Sequence, residues 1–187
     1  MMAKRRLFVA VPIVGATELQ QALPGLHGAF SGYRVRWLGA DEWHVTLWFI
    51  GNIEAGAVDA LVHDLSVVAG ACDGFEVSIT GFGVFGAEAH PRILWAGVEG
   101  GEGLLRLQQA VVPWELMIKP FVPHITLGRF GRDHGGEWPA EWWQGNVHRA
   151  MDVVRVRCFS LYESELMPGG SVYRRLHDFE LRGSLGQ

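Results

Sequence analysis

The sequence contains only two cysteines in 187 residues, Cys72 and Cys158, and they lie far apart in the chain. Their separation excludes the close C-x-x-C spacing that is typical of structural zinc sites and of dithiol redox sites. Disulfide bonds are rare in reducing compartments, and a chain with so few and such distant cysteines fits such a compartment. The sequence therefore predicts a cytoplasmic protein.

Long hydrophobic runs are also absent. No apolar stretch approaches the ~20 residues that a membrane-spanning helix needs. The basic start and the apolar residues 7–11 superficially resemble a secretory signal, but Pro12 interrupts the run, and residues 7–11 are more typical of a first strand. We therefore expect a soluble protein without a membrane partner.

The chain lacks an excess of positive charge, since 16 Lys and Arg residues face 20 Asp and Glu residues and the formal net charge is −4. A protein that coats long nucleic acid must neutralise many phosphates, so this composition argues against that class. Local arginine groups such as Arg34 and Arg36, or Arg174 and Arg175, still allow a basic patch. A short or terminal anionic ligand is therefore compatible with the composition.

The apolar fraction of 49% is enough for a substantial core, and we expect residues 1–187 to form a single domain and a monomer. Runs of β-branched and aromatic residues, separated by Gly and Pro, alternate with a few helical patterns, which predicts an α+β fold. The predicted strands are 6–11, 33–38, 43–50, 75–81, 92–98, 121–130, 153–162 and 172–181. The predicted helices are 15–23, which ends near Pro24, 54–69 and 102–112.

Residues 131–149 have the composition of an irregular connection, with two adjacent glycines and a proline. They also carry Trp138, Trp142 and Trp143, which form a small aromatic group in the sequence. Packing of these side chains onto the nearest sheet is the simplest interpretation.

One motif occurs twice. The segment from His44 to Gly51 aligns with the segment from His124 to Gly131, and His, Thr, Leu and Gly coincide at a separation of 80 residues (124 − 44). Only four threonines occur in the chain, and two of them stand two places after a histidine. We infer two related lobes, each of which contributes one copy.

Side chains alternate along a strand, so each motif presents its histidine and threonine on one face and buries its apolar residues on the other. Two imidazoles suit phosphodiester hydrolysis, because one must take a proton from water while the other gives a proton to the leaving oxygen. Threonine hydroxyls and an arginine can bind the non-bridging phosphate oxygens. The sequence therefore predicts His44 and His124 as catalytic residues and Thr46 and Thr126 as phosphate ligands, without a metal or another cofactor.

With these residues the chain resembles the 2H phosphoesterase superfamily, and within it the RNA 2′,3′-cyclic phosphodiesterases, which are also called 2′-5′ RNA ligase-like proteins. The similarity also covers the segments 6–10, 91–98 and 161–166. It implies a bilobal duplicated fold, with two antiparallel sheets, helices on their outer faces and a central active-site cleft. It also implies hydrolysis of RNA 2′,3′-cyclic phosphate ends to 2′-phosphomonoesters, with RNA ends or small nucleotides that carry a 2′,3′-cyclic phosphate as partners.

By the same resemblance, His44 protonates O3′, His124 activates water, and Arg129 is a further phosphate contact. Strict alternation places Arg129 on the face opposite His124, so Arg129 reaches the phosphate only if the strand bulges or twists near Gly128. Trp48 and Phe49 are candidates for stacking on a base, and by parity Trp48 shares the face of His44.

Several alternatives stay open. The same superfamily includes 2′-5′ RNA ligases and other cyclic-nucleotide phosphodiesterases. A protein of another class would bind RNA ends without catalysis. A zinc site built from His44, His124 and a third histidine is a further alternative, although the chain lacks the short ligand spacings that such sites usually have.

Overall fold

The computed structural model describes residues 4–117, 120–131, 135–168 and 170–183. Within these ranges the chain forms nine strands and four α-helices. The strands are β1 (Lys4–Pro12), β2 (Val35–Trp37), β3 (His44–Glu54), β4 (Phe75–Ala87), β5 (His90–Glu99), β6 (His124–Phe130), β7 (Ala150–Val156), β8 (Cys158–Met167) and β9 (Gly170–Glu180). The helices are α1 (Thr17–Ala29), α2 (Val58–Ala71), α3 (Gly101–Val111) and α4 (Ala140–Asn146).

The strands form two antiparallel halves that meet along the motif strands. The first half has the order β3-β1-β8-β9, and the second has the order β6-β5-β4-β7, with β2 added to β6. A single residue pair, Val45 and Ile125, joins β3 to β6 and makes one continuous sheet. The expected α+β fold is confirmed, with the two expected antiparallel sheets joined into one.

A common core holds the two halves together. Helices α2 and α3 contribute apolar residues at helical spacing, including Leu65 on α2 and Leu104 and Leu107 on α3, each at most 2% exposed. They pack in the same cluster as Leu161 of the first half and Leu94 of the second. The two predicted helices 54–69 and 102–112 are thus confirmed, with a first turn of 3-10 type before α2.

The first helix is longer than predicted. It continues through Pro24 to Ala29, although a proline removes one helical hydrogen bond. Pro24 lies on the exposed side, while Leu26 and Phe30, which are at most 1% exposed, hold the following residues in the core. Burial of this apolar pair outweighs the local cost of the proline, so the prediction of an end near Pro24 is wrong.

The predicted strand 153–162 is two strands. The chain breaks at Arg157, where it passes from β7, which pairs with β4 in the second half, to β8, which pairs with β1 in the first half. No glycine or proline marks this crossing, so the sequence contains no turn signal there.

The segment after β6 is less irregular than predicted, because it contains helix α4. Its three tryptophans, Trp138, Trp142 and Trp143, surround Phe30 with ring centroids 5.6, 6.4 and 6.3 Å away. Trp142 also contacts Phe82 of β4, with ring centroids 5.5 Å apart, so packing onto a sheet is confirmed for this tryptophan. The sequence does not predict helix α4. Residues 132–134 of the predicted segment lie outside the described residues.

None of the helices in the described part of the chain is both long enough and apolar enough to cross a membrane.

Candidate active site

The two copies of the motif lie on neighbouring strands and face one cleft. His44 and Thr46 from β3, and His124 and Thr126 from β6, line a cavity of about 350 Å³. The strands bring these residues together because β3 and β6 are the innermost strands of the two halves. Their apolar neighbours Val45 and Ile125, at most 1% exposed, point to the core on the opposite face.

Both motif strands contain a bulge at the same position. In β3, Thr46 pairs with Ala10 and Trp48 pairs with Val9, so Leu47 is an extra residue. In β6, Thr126 pairs with Trp95 and Gly128 pairs with Leu94, so Leu127 is the corresponding extra residue. An extra residue reverses the alternation of the side chains that follow it.

The bulges decide which residues follow the motifs into the cleft. Arg129 lines the cleft together with His124. Strict alternation along β6 would prevent this, and the bulge next to Gly128 makes it possible. Phe49, at the equivalent position of the first half (129 − 49 = 80), lines the cleft as well and is 52% exposed. The two halves therefore present different chemistry at one symmetric position, an aromatic ring in the first and a guanidinium in the second.

Trp48 does not share the face of His44 as predicted, because the bulge at Leu47 reverses the alternation before Trp48. Trp48 is not among the residues that line the cleft, and its partly buried side chain packs against the core. Of the two candidates for base stacking, the structure thus brings Phe49 to the site and leaves Trp48 out.

The two imidazoles have the same tautomer and the same support. His44 Nδ1 lies 2.6 Å from the carbonyl oxygen of Glu42, and His124 Nδ1 lies 2.7 Å from that of Val122. A carbonyl oxygen only accepts hydrogen bonds, so Nδ1 carries the proton in each neutral ring. This leaves Nε2 of both histidines available to accept a proton from a reacting group, or to donate one when the ring is charged.

Both imidazoles are neutral in the free protein at physiological pH. The pKa of His44 falls from 6.5 to about 4, chiefly because the ring is buried. The hydrogen bond to Glu42 opposes this shift, and the nearby charges of Arg129 and His124 add to it. Burial, with Arg129, also lowers the pKa of His124. A bound anion would favour the imidazolium forms, so phosphate binding is what would allow one ring to hold the proton that it donates.

We expect NMR titration to detect the effect of phosphate binding on the pKa values of the two histidines. In the free protein, His44 should titrate with a midpoint near 4 and His124 with a midpoint below 6.5, and added inorganic phosphate should raise both midpoints. Because the unfolded chain binds these protons at higher pH than the folded chain, the free energy of unfolding should fall as pH decreases from about 6.5 to about 4. A His44 midpoint at or above 6.5 without phosphate would contradict the burial of this ring.

The surroundings of the two histidines differ. His44 packs against Phe8, Tyr162 and Tyr173, with ring centroids 5.2, 5.7 and 5.5 Å away. His124 lies perpendicular to Phe85, with ring centroids 4.8 Å apart, and its ring centroid is 6.2 Å from that of Trp95. With Phe49 added, the first half offers the more aromatic wall of the cleft.

The cleft contains further polar residues that the sequence does not identify as site residues. The guanidinium of Arg129 donates a 3.3 Å hydrogen bond to the hydroxyl of Tyr173. Arg36, the cross-strand partner of Arg129, and Arg6 on β1 also line the cleft. The arginine grouping in the sequence hinted at a basic patch, but only the pairing of distant strands assigns these residues to it. The other polar residues that were missed are Ser164 and Ser171.

Within the residues that the structure describes, no group of three or more His, Cys, Asp or Glu side chains is arranged to hold a metal ion. The zinc alternative has no third protein ligand there beside His44 and His124.

Comparison with known proteins agrees with the fold and identifies the family. The family described as LigT like Phosphoesterase matches residues 11–95. An RNA 2′,3′-cyclic phosphodiesterase of Archaeoglobus fulgidus is 30% identical over 182 residues, covering 94% of this chain and 99% of the relative. A protein of the same name from Thermus thermophilus is 32% identical over 170 residues, covering 77% of this chain and 74% of the relative.

Solved structures give the same result. A crystal structure of a Thermus thermophilus protein superimposes with a TM-score of 0.77 at 29% identity, covering 95% of this chain and 98% of that chain. The apo form of Escherichia coli LigT superimposes with a TM-score of 0.68 at 25% identity, covering 96% of this chain and 98% of that chain. This chain therefore belongs to the LigT-like phosphoesterase family of the 2H phosphoesterase superfamily.

Proposed function

We propose that this protein hydrolyses 2′,3′-cyclic phosphates at RNA ends to 2′-phosphomonoesters, with His44 and His124 as a metal-independent acid–base pair. The observation that carries the proposal is the pair of imidazoles that line one cleft with Nδ1 held by a backbone carbonyl and Nε2 available. The names of the full-length relatives supply the substrate class.

The reaction needs one proton acceptor and one proton donor on opposite sides of phosphorus. The base takes a proton from water as the water oxygen forms a bond to phosphorus. The acid gives a proton to O3′ as the bond between phosphorus and O3′ breaks, which leaves a 2′-phosphate and a free 3′-hydroxyl. Such assistance typically contributes ~10²–10⁴-fold to the rate.

The asymmetry of the cleft favours one orientation of the substrate. Phe49 and Tyr173 line the cleft and suit the nucleoside, and the Tyr173 ring lies 5.5 Å from that of His44. Arg129, whose charge acts on both imidazoles, suits the phosphate oxygens. The leaving oxygen belongs to the ribose, and the attacking water must approach from the opposite side. We therefore assign His44 as the acid and His124 as the base.

Thr46, Thr126 and Arg129 are the proposed ligands of the non-bridging phosphate oxygens. Each threonine lies two residues after a histidine on the same face of its strand, so its hydroxyl is beside the reacting phosphate. Hydrogen-bond donors placed where negative charge develops lower the barrier without a metal.

The single domain over residues 1–187 and the monomeric state stay predictions.

The decisive test uses an oligonucleotide with a 2′,3′-cyclic phosphate end in buffer that contains EDTA. We expect full turnover, because no step of the proposed mechanism uses a metal, and a product with a 2′-phosphate and a 3′-hydroxyl, identified by mass and by NMR of the terminal nucleotide. Enzyme in buffer without EDTA is the matched control.

Three outcomes would overturn parts of the proposal. Loss of turnover in EDTA would contradict the metal-independent mechanism, and a 3′-phosphate product would contradict the direction of bond cleavage. Tight binding of the RNA end with no turnover between about pH 5 and about pH 9 would instead indicate an RNA-end binder.

A further inference from the structure

Three arginines of the described part of the chain line the cleft, and the proposed reaction uses only Arg129. The other two, Arg6 on β1 and Arg36 on β2, come from different halves of the molecule. Both are partly buried rather than fully exposed. A protein with a net charge of −4 does not bring three guanidinium groups to one cleft for solubility, so these two call for a ligand.

Arg6 is held in place by an aromatic ring and a hydroxyl. Its guanidinium carbon lies 4.7 Å from the centroid of Phe49, and its Nη1 donates a 3.2 Å hydrogen bond to Ser164 Oγ. The preceding residue is used differently, because Arg5 forms two hydrogen bonds of 2.7 and 2.9 Å with Glu163. Arg5 is thus a structural partner of a carboxylate, whereas Arg6 keeps most of its five donors available.

Arg36 lies on β2 in the second half, and the start of β9, which belongs to the first half, holds its side chain. Its Nη2 donates a 3.1 Å hydrogen bond to the carbonyl oxygen of Ser171. Gly170 has a φ of +123°, and a Cβ at this position would overlap the guanidinium of Arg36. The glycine therefore permits the close approach of this guanidinium to the β9 backbone.

Neither guanidinium forms an ion pair with a described residue. In the ranges that the structure describes, every ion pair involves arginines or lysines other than Arg6, Arg36 and Arg129. Guanidinium groups bind phosphate oxygens in a fixed forked geometry, and they are common where phosphates are recognised. Two such groups without carboxylate partners, beside a site for one phosphate, fit a second phosphate.

We propose that Arg6 and Arg36 form a second phosphate subsite, which binds the phosphate on the 5′ carbon of the nucleotide whose cyclic phosphate lies between the two histidines. The inference rests on the proposed function for the identity of the first phosphate. A nucleotide carries both groups on one ribose, so a single cleft accommodates them. The ligand chemistry is a 5′-phosphate, either a terminal phosphomonoester or the diester that continues the RNA chain.

Binding calorimetry tests the subsite without turnover, with adenosine 2′-monophosphate and adenosine 2′,5′-bisphosphate as probes. We expect the wild-type protein to bind the bisphosphate at least about tenfold more tightly, the affinity that a charge-assisted hydrogen bond typically contributes. The variants Arg6→Ala and Arg36→Ala should each bring this ratio close to one. Arg6→Gln provides a second variant that keeps a donor for Ser164, and it should also reduce the ratio.

The matched control is Arg106→Ala, which removes one positive charge from an exposed position on α3 outside the cleft. It should keep the wild-type ratio. Equal affinity of the wild-type protein for the two probes would overturn the subsite, as would an unchanged ratio in folded Arg6 and Arg36 variants. If the protein hydrolyses cyclic phosphates but binds the two probes with equal affinity, the subsite fails and the proposed function stands. If it binds the bisphosphate more tightly but hydrolyses no cyclic phosphate, the subsite stands and the proposed function fails.

A dinucleotide with a terminal 2′-phosphate distinguishes the two sources of the 5′-phosphate. Affinity equal to that of the bisphosphate would assign the subsite to the phosphodiester of an RNA chain. Affinity equal to that of the monophosphate, together with tight binding of the bisphosphate, would assign it to a terminal phosphomonoester.

Discussion

Replacement of either His44 or His124 by alanine should lower kcat/KM for an RNA with a 2′,3′-cyclic phosphate end by at least about 100-fold. This is the lower range of the rate contribution of a positioned acid or base. Both rings line the cleft, and a hydrogen bond from Nδ1 to a backbone carbonyl holds each ring in place on its own strand. One histidine therefore cannot take over the proton transfer of the other. Steady-state kinetics near neutral pH on the purified variants provide the measurement.

The control for this pair is His63→Ala, because His63 is exposed on α2, outside the cleft. It should retain wild-type activity, and circular dichroism should show all three variants folded. More than about a tenth of wild-type activity in either cleft variant would defeat the acid–base mechanism, because the expected contribution is larger than that.

The same variants separate the two roles. A substrate that carries a nitrophenolate leaving group needs no protonation of the departing oxygen. It should therefore restore much of the activity of His44→Ala, which lacks the proposed acid, and little of the activity of His124→Ala, which lacks the proposed base. Rescue of His124→Ala instead would exchange the two assignments.

Replacement of Arg129 by alanine should lower kcat by about 100-fold, the usual effect of removing one donor to a developing negative charge. The bulge at Leu127 directs this guanidinium into the cleft, and its charge acts on both imidazoles. Arg129→Lys should recover only part of the loss, because an ammonium group lacks the forked geometry of a guanidinium. Kinetics on the cyclic-phosphate substrate measure both variants.

Two further variants make this result interpretable. Tyr173→Phe removes the hydroxyl that accepts the 3.3 Å hydrogen bond from Arg129, and it tests whether positioning of the guanidinium alone matters. Arg106→Ala is the charge control and should have no effect on kcat. Arg129→Ala activity within about threefold of wild type would contradict a role in stabilising the transition state.

The two histidine–threonine pairs of the site were predictable because their placement depends on local strand geometry. Alternation along a strand places His44 with Thr46 and His124 with Thr126, and the duplication indicates that the two pairs share a purpose. The structure places all four side chains on one cleft.

The rest depends on pairing between distant strands, which a single sequence does not reveal. No glycine or proline adjoins the bulge at Leu47, so parity placed Trp48 on the wrong face. Arg36 reaches the site only because β2 pairs with β6, and this short strand has no motif of its own. In the same way, tertiary burial of Leu26 and Phe30 carries α1 past Pro24.

The different residues at positions 49 and 129 have a consequence for how often a bound substrate reacts. A cleft with true twofold symmetry would accept a nucleotide in two opposite directions with equal free energy, and one of them would be nonproductive. In the proposed mechanism the exposed ring of Phe49 lies on one side of the cleft only, so the reversed pose loses its stacking. Divergence at a single duplicated position thus gives the site a direction while the reacting groups stay alike.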